Sequence, residues 1–299
     1  MFGTFFLAQA QNQDSRSDVP DTIKRQNSVS GVQGATGISY EQNKDIGELR
    51  YVQRSAPPPT LSLYTLQGAF YTDNAFLTPQ AGQGSFGWSG LFGAAVVPYS
   101  TIRWIPSISA ERYMFRHTDA AAADYDTDAL TFANDLALNG ARTVWWRASY
   151  SVWRFEAAHG GSSSFLKYGQ LDNRLSWGQP IRTSLYLYEA GGLEWRHATP
   201  GFYDRLTPYL ELGLRHQALN TVQISPYVRS EGRFYIHDVG LIQGRKDFHL
   251  ETGLLVQWSP TDYLRLTGSY FWRGNFSNFS ALDYQENRPF AGVSAVLSF

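Results

Sequence analysis

The side chains of this 299-residue chain that could do chemistry are six histidines and an interleaved set of arginines, carboxylates and tyrosines; cysteine is absent. Thiolate nucleophiles, disulfides and thiolate metal sites are therefore excluded. The histidines are His117, His159, His197, His216, His237 and His249. Acyl hydrolysis would need one of them beside a serine, and the nearest pair is His159 with Ser162 in the run His159-Gly160-Gly161-Ser162. A loop tip rich in Gly and Ser has that composition for conformational reasons alone. No catalytic residue, metal or cofactor is expected.

The charged residues carry a clearer pattern. Arg147, Arg174, Arg182, Arg215, Arg229 and Arg265 fall on the polar side of alternating segments, as do Glu211, Glu231 and Glu251. Tyr186, Tyr188 and Tyr209 share that side, and Arg103, Arg196, Glu111, Asp172, Glu194, Tyr168, Tyr227 and Tyr263 extend it. One chemistry for such a set is a lined passage whose charges select solutes and whose tyrosines stack on sugar rings. The other is an Arg–Glu network that fills a narrow interior and braces its wall, with nothing passing. The two signs nearly balance, which argues against a strongly anion-selective ladder. The net charge of −1 gives no reason to expect nucleic acid as a partner.

Positioning such a set takes strands. From Thr60 onward a period of two recurs in twelve segments, near 61–72, 85–98, 101–116, 125–138, 142–156, 165–177, 181–197, 204–219, 221–236, 245–258, 262–274 and 287–299. Leu206, Leu210, Leu212 and Leu214 oppose Thr207, Tyr209, Glu211 and Arg215; Phe248, Leu250, Leu254, Val256 and Trp258 oppose His249, Glu251 and Gln257. The segments exceed the five or six residues usual for soluble strands. Tight connections at Pro98-Tyr99-Ser100, Asn139-Gly140, Gly178-Gln179-Pro180, Leu219-Asn220 and Ser259-Pro260-Thr261 alternate with longer ones at 73–84, 117–124, 157–164, 198–203, 237–244 and 275–286. Aromatics make up 15% of the chain while mean hydropathy is −0.32, the balance of a wall with one face in lipid and one polar. The prediction is all-β: a twelve-stranded antiparallel transmembrane barrel over 60–299, with Trp88, Trp146, Trp195 and Trp272 in an interfacial girdle.

Some positions resist this scheme. Glu189 falls on the lipid face of the seventh segment unless a bulge near Gly191-Gly192 turns it inward. Asn173 falls outward in the sixth, and Pro106, Pro208 and Pro226 sit inside strands, where each removes a ladder donor. His216 faces outward near a tight turn.

The last ten residues, FAGVSAVLSF at Phe290–Phe299, resemble the final strand of bacterial outer-membrane β-barrels. That resemblance implies an outer-membrane location and a chain end, Phe299, that the barrel assembly machinery reads. Phe70–Pro79 (FYTDNAFLTP) resembles the first strand and loop of β-barrel porins associated with exopolysaccharide export; no site is carried over. The expected activity is passive diffusion of polar solutes, saccharides among them, rather than catalysis. The alternatives are a non-conducting structural or assembly barrel and, behind it, an outer-membrane lipid hydrolase. Before the barrel, residues 1–10 end in Ala8-Gln9-Ala10, the small-x-small form of a signal-peptidase site, and read as the remnant of a signal peptide. Residues 11–59 are polar, end in Pro57-Pro58-Pro59 and read as a flexible periplasmic segment. They show neither the core pattern of a plug nor the helix and passenger of an autotransporter.

Overall fold

The computed structural model describes residues 61–79, 82–101, 103–141, 143–159, 164–238 and 243–299. The expected signal remnant at 1–10 and flexible segment at 11–59 lie outside the described residues. Twelve strands follow one another: β1 (Leu61–Thr72), β2 (Ser85–Val96), β3 (Trp104–His117), β4 (Tyr125–Ala137), β5 (Val144–Ala157), β6 (Ser164–Arg182), β7 (Leu185–Thr199), β8 (Arg205–Leu219), β9 (Val222–Tyr235), β10 (Lys246–Trp258), β11 (Leu264–Ser277) and β12 (Tyr284–Ser298). Each pairs antiparallel with its neighbours in sequence, and β12 returns to β1. The closing ladder runs from Ser62↔Ser298 to Phe70↔Phe290. Beyond it the Phe299 amide donates to the Leu61 carbonyl at 2.9 Å, and the Leu61 amide donates back at 3.3 Å. A closed sheet leaves no edge to hydrate, which a wall in hydrocarbon requires.

The alternation resolves into an apolar outside and a charged inside. On β8, Leu206, Leu210 and Leu212 are exposed while Arg205, Thr207, Tyr209 and Glu211 are buried. Across the molecule Leu210 is 68% exposed, whereas Glu251 and Arg273 are 0% exposed. Exposed leucine beside buried charge is the inverse of a water-soluble protein. It is stable when the outside is lipid and the charges are paired within. Among the described residues no helix is long and apolar enough to cross a membrane; the strands do so, at 12–19 residues each.

Several local expectations are refined. β6 continues through Gly178-Gln179-Pro180 to Arg182, so the turn falls at residues 183–184, and a register shift between Pro180 and Arg182 absorbs the proline. β12 starts at Tyr284 and β11 ends at Ser277, both reaching further toward the loops than hydrophobic contrast implies. No bulge occurs at Gly191-Gly192: the pairs Gly191↔Leu210 and Gly192↔Tyr209 are continuous, and Glu189 stays on the outward wall. The β8–β9 ladder skips Thr207 and Pro208, and again Leu214 and Arg215 opposite Pro226 and Ser225, while Pro208↔Leu193 and Pro226↔Leu254 hold on their other sides. The missing donors therefore fall in the same ladder and leave the two flanking ladders continuous. Connections at the rim bearing Leu61 and Phe299 are not uniformly the shorter ones. β2 and β3 are separated by 97–103, whereas β7 and β8, at the opposite rim, are separated by 200–204 only.

That short connection follows a device repeated at the loop rim. One-turn 3-10 helices at Ala121–Ala123, Gly201–Tyr203 and Ser280–Leu282 are each followed by an aspartate. Asp124, Asp204 and Asp283 accept the backbone N–H of His117 (2.7 Å), Ala198 (2.5 Å) and Ser277 (2.6 Å), across the hairpin. The carboxylate pairs an amide that the departing strand would otherwise leave unpaired.

Candidate functional site: the barrel interior

The inward residues divide the lumen by size. Near the chain-end rim they are mostly small: Ser62, Ala95, Ser107, Ser109, Ala133, Ser149, Ser176, Gly213, Ser225, Thr267 and Ser294. Toward the loop rim they are bulky and charged, and there the interior is close-packed.

Arg229 on β9 is the centre of the largest cluster. Its guanidinium donates to Glu231 at 2.6 Å, Glu194 at 2.7 Å and Glu211 at 3.3 Å, and lies 3.7 Å over the Tyr209 ring. Arg174 donates to Glu211 at 3.2 Å, Tyr209 donates its hydroxyl to Asp172 at 3.0 Å, and Arg233 reaches Glu231 at 2.8 Å. Planar guanidinium forks satisfy several carboxylate lone pairs at once, which charge burial demands. A second cluster spans the closing strands. Glu286 on β12 accepts from Arg273 on β11, from Arg288 at 2.8 Å and from the Thr72 hydroxyl of β1 at 2.6 Å.

The wall of β3–β6 is aromatic. Tyr113, Trp153 and Tyr168 stack with centroids 5.9 Å apart, and Arg196 covers Tyr168 at 4.0 Å. The Tyr64 and Tyr113 hydroxyls both donate to Glu111, at 2.7 and 3.0 Å, and Tyr227 donates to Glu251 at 2.9 Å.

Accessibility follows the same division. Arg229, Glu211, Arg233, Arg273 and Glu286 keep 4% or less of their side-chain surface. In the small-residue half, Arg147 and Asp135 approach at 3.7 Å and keep 25% and 22%, and Arg215 and Arg265 are partly exposed.

The predicted lumen residues Arg147, Arg174, Arg215, Arg229, Arg265, Glu211, Glu231, Glu251, Tyr186, Tyr188 and Tyr209 all occupy inward registers. They do not form one assembly: Arg174, Arg229, Glu211, Glu231 and Tyr209 are joined, while Arg147, Arg215 and Arg265 lie in the small-residue half. Arg182 differs. The register shift before it pairs it with Leu185, an outward residue, and it is exposed at the chain-end rim. Tyr263, 60% exposed, lies in the connection before β11.

Arg233, Arg273, Glu286, Arg288 and Trp153 were not singled out by sequence. Glu286 and Arg288 alternate with Gln285 and Asn287, so both faces of β12 are polar there and no contrast marks the inward one. Arg273 continues the face of Arg265, Thr267 and Ser269 and was legible.

The histidines at the loop rim face carboxylates. His117 Nδ1 and His159 Nε2 lie 3.1 and 3.0 Å from Asp124; His197 Nδ1 and His237 Nε2 lie 2.8 and 3.2 Å from Asp204. Ser162, the expected companion of His159, lies outside the described residues. His216 Nδ1 sits 3.1 Å from the Ser184 carbonyl. Among the described residues no group of three or more His, Asp or Glu is arranged to hold a metal.

No protein-family profile matches the sequence, and no curated protein matches it. Solved structures do share the fold. The COG4313 outer membrane channel from Pseudomonas putida F1 superposes with a TM-score of 0.56 at 13% identity, over 81% of this chain and 97% of that one. The translocator domain of the autotransporter NalP from Neisseria meningitidis gives a TM-score of 0.51 at 12% identity, over 95% of this chain and 98% of that one. With the lipid-facing wall, this likeness gives the chain the fold of a closed, membrane-spanning antiparallel β-barrel.

Proposed function

We propose that this outer-membrane barrel is a channel for small polar solutes, narrowed in its loop-side half by the Arg229 and Glu286 clusters. The observation that carries the reading is the graded interior. Small residues with partly exposed Arg147, Arg215 and Arg265 line the half near the chain ends, and that half leads into a charged constriction. Leu61 and Phe299 lie at one rim, which this reading takes as the periplasmic one, as in other barrels with loops outside. A passage of this shape admits water and polar solutes from the periplasmic side and discriminates by size and charge at the constriction.

Saccharides are the solute class that Tyr186 and Tyr188 suit. They stand two residues apart on the inward face of β7, with Arg215 paired across from Tyr186. An outward Phe299, 68% exposed, supports recognition of this strand by the barrel assembly machinery. Deletion of Phe299 is expected to lower the amount of folded barrel in the membrane.

Planar-bilayer recording of the purified chain tests the channel. Discrete current steps are expected, and reversing charge in the accessible half (Arg147→Glu with Arg215→Glu) should move the reversal potential toward cation preference. Silent membranes containing correctly folded protein would overturn it. A second reading, a closed barrel braced by its ion pairs, is supported by the near-complete burial of Arg273 and Glu286, and predicts that silence. An outer-membrane lipid hydrolase has less support. His159, His197 and His237 face aspartates, and lipase activity unchanged by His159→Ala would remove that reading.

A further inference from the structure

Charge on the outward wall is confined in an unexpected way. On β1, β2, β8, β9, β11 and β12 no outward position carries Arg, Lys, Asp or Glu. On β3–β6, by contrast, one straight cross-strand row toward the loop rim reads Arg112↔Asp128↔Arg154↔Lys167. Neighbouring strands lie about 4.8 Å apart, so the row is roughly 14 Å long.

Part of this row is satisfied within the sheet. Arg112 pairs with Asp128 at 3.3 Å and with Asp126 at 3.1 Å, and Arg154 pairs with Glu156, its neighbour on the same face. The far end is not. Arg154 and Lys167 are directly opposite each other, a like-charge pair that destabilises a ladder. No carboxylate of the described residues pairs with Lys167. Both side chains are exposed, Arg154 by 50%.

The row lies where the apolar belt stops. The next outward residues toward the periplasmic rim are Ala110, Leu130, Val152 and Gly169, with Leu130 and Val152 exposed. Two cations at the edge of a hydrocarbon-facing surface are at the depth of lipid headgroups, where basic residues recruit anionic lipid.

We propose that the outward face of β4–β6 seats one phosphorylated lipid of the outer leaflet, its phosphate bridging Arg154 and Lys167 and its acyl chains lying over Leu130 and Val152. The phosphate removes the like-charge repulsion, and the guanidinium fork and the ammonium supply matching donors. A free anion could meet the two cations, but it would leave the adjoining apolar surface to bulk lipid. The amphiphile satisfies both.

Native mass spectrometry of the full chain in detergent, titrated with phosphatidic acid, phosphatidylcholine or inorganic phosphate, tests this. The wild type should retain phosphatidic acid well above phosphatidylcholine. Arg154→Gln with Lys167→Gln should weaken that retention roughly 30-fold, at about fivefold for each basic residue. Lys246→Gln, an outward lysine on β10, should leave it unchanged. Retention equal in the double variant and the wild type would overturn the site. Inorganic phosphate displacing phosphatidic acid at equal concentration would overturn a lipid as its occupant. Heat-modifiable migration on a gel verifies that each variant is folded. If the double variant does not fold, phosphatidylcholine retained as well as phosphatidic acid by the wild type overturns the proposal on its own.

Discussion

Arg229 holds three carboxylates, from Glu194, Glu211 and Glu231, in a region with almost no water access. Replacing a buried pair with apolar groups is often tolerated, but removing one partner strands the other. Arg229→Met should therefore destabilise the barrel by about 3–5 kcal/mol, read as a lower denaturant midpoint in the loss of heat-modifiable migration. The inward tyrosines have a different dependence. A Cβ on Gly213 would lie 2.2 Å from the Tyr188 ring, so that ring covers a position only glycine can occupy. Gly213→Val should reduce the folded fraction, and adding Tyr188→Ser should restore most of it by removing the clash. Equal losses in the single and double variants would show that the close approach is not the cause.

At the scale of elements, the loop rim is organised by aspartates rather than by loop length. Asp204 accepts the Ala198 amide and lies within hydrogen-bond distance of His197 and His237, tying the β7–β8 hairpin to the connection that leaves β9. Asp204→Ala leaves that amide unpaired, and hydrogen exchange at Ala198 should quicken while exchange in mid-strand β8 stays unchanged. The same device at Asp124 and Asp283 spaces capped hairpins at every second loop. The sequence holds the signal, an aspartate six or seven residues after the strand residue whose amide it accepts. Period-two reading does not detect it, because the relation lies between a side chain and a distant backbone amide.

For the whole molecule, the outward wall sets stability in the membrane and the inward wall holds the paired charge. Glu189 lies on the outward wall in a shallow groove with Leu175, Trp177, Gly191, Leu210 and Leu212. A carboxylate there opposes insertion, so Glu189→Leu should stabilise the folded barrel by about 1–2 kcal/mol in lipid bilayers. An unchanged or lower unfolding midpoint in bilayers would mean that the carboxylate has a partner in the membrane. The interior is polarised along the axis, lined by small residues and partly exposed arginines near the Leu61–Phe299 rim and packed with buried ion pairs near the loops.

The sequence by itself determined the number of strands, their antiparallel order and the face of nearly every residue from β1 to β12. Strict alternation fixes facing once one wall is apolar, and one slipped residue would turn a whole strand inside out. It also placed Asn173 outward, whereas Glu189 was settled only by the unbroken ladder through Gly191-Gly192. Only the tertiary structure decided that Arg182 leaves the inward face, because the shift after Pro180 has no signature in hydrophobic pattern. Only the tertiary structure grouped Arg229 with Glu194, Glu211 and Glu231, and Glu286 with Arg273, Arg288 and Thr72. Those partners belong to different strands, and the ladder registers that bring them together depend on every turn between them. The row Arg112–Asp128–Arg154–Lys167 has the same origin: each charge was visible along the chain, and their alignment exists only across the closed sheet.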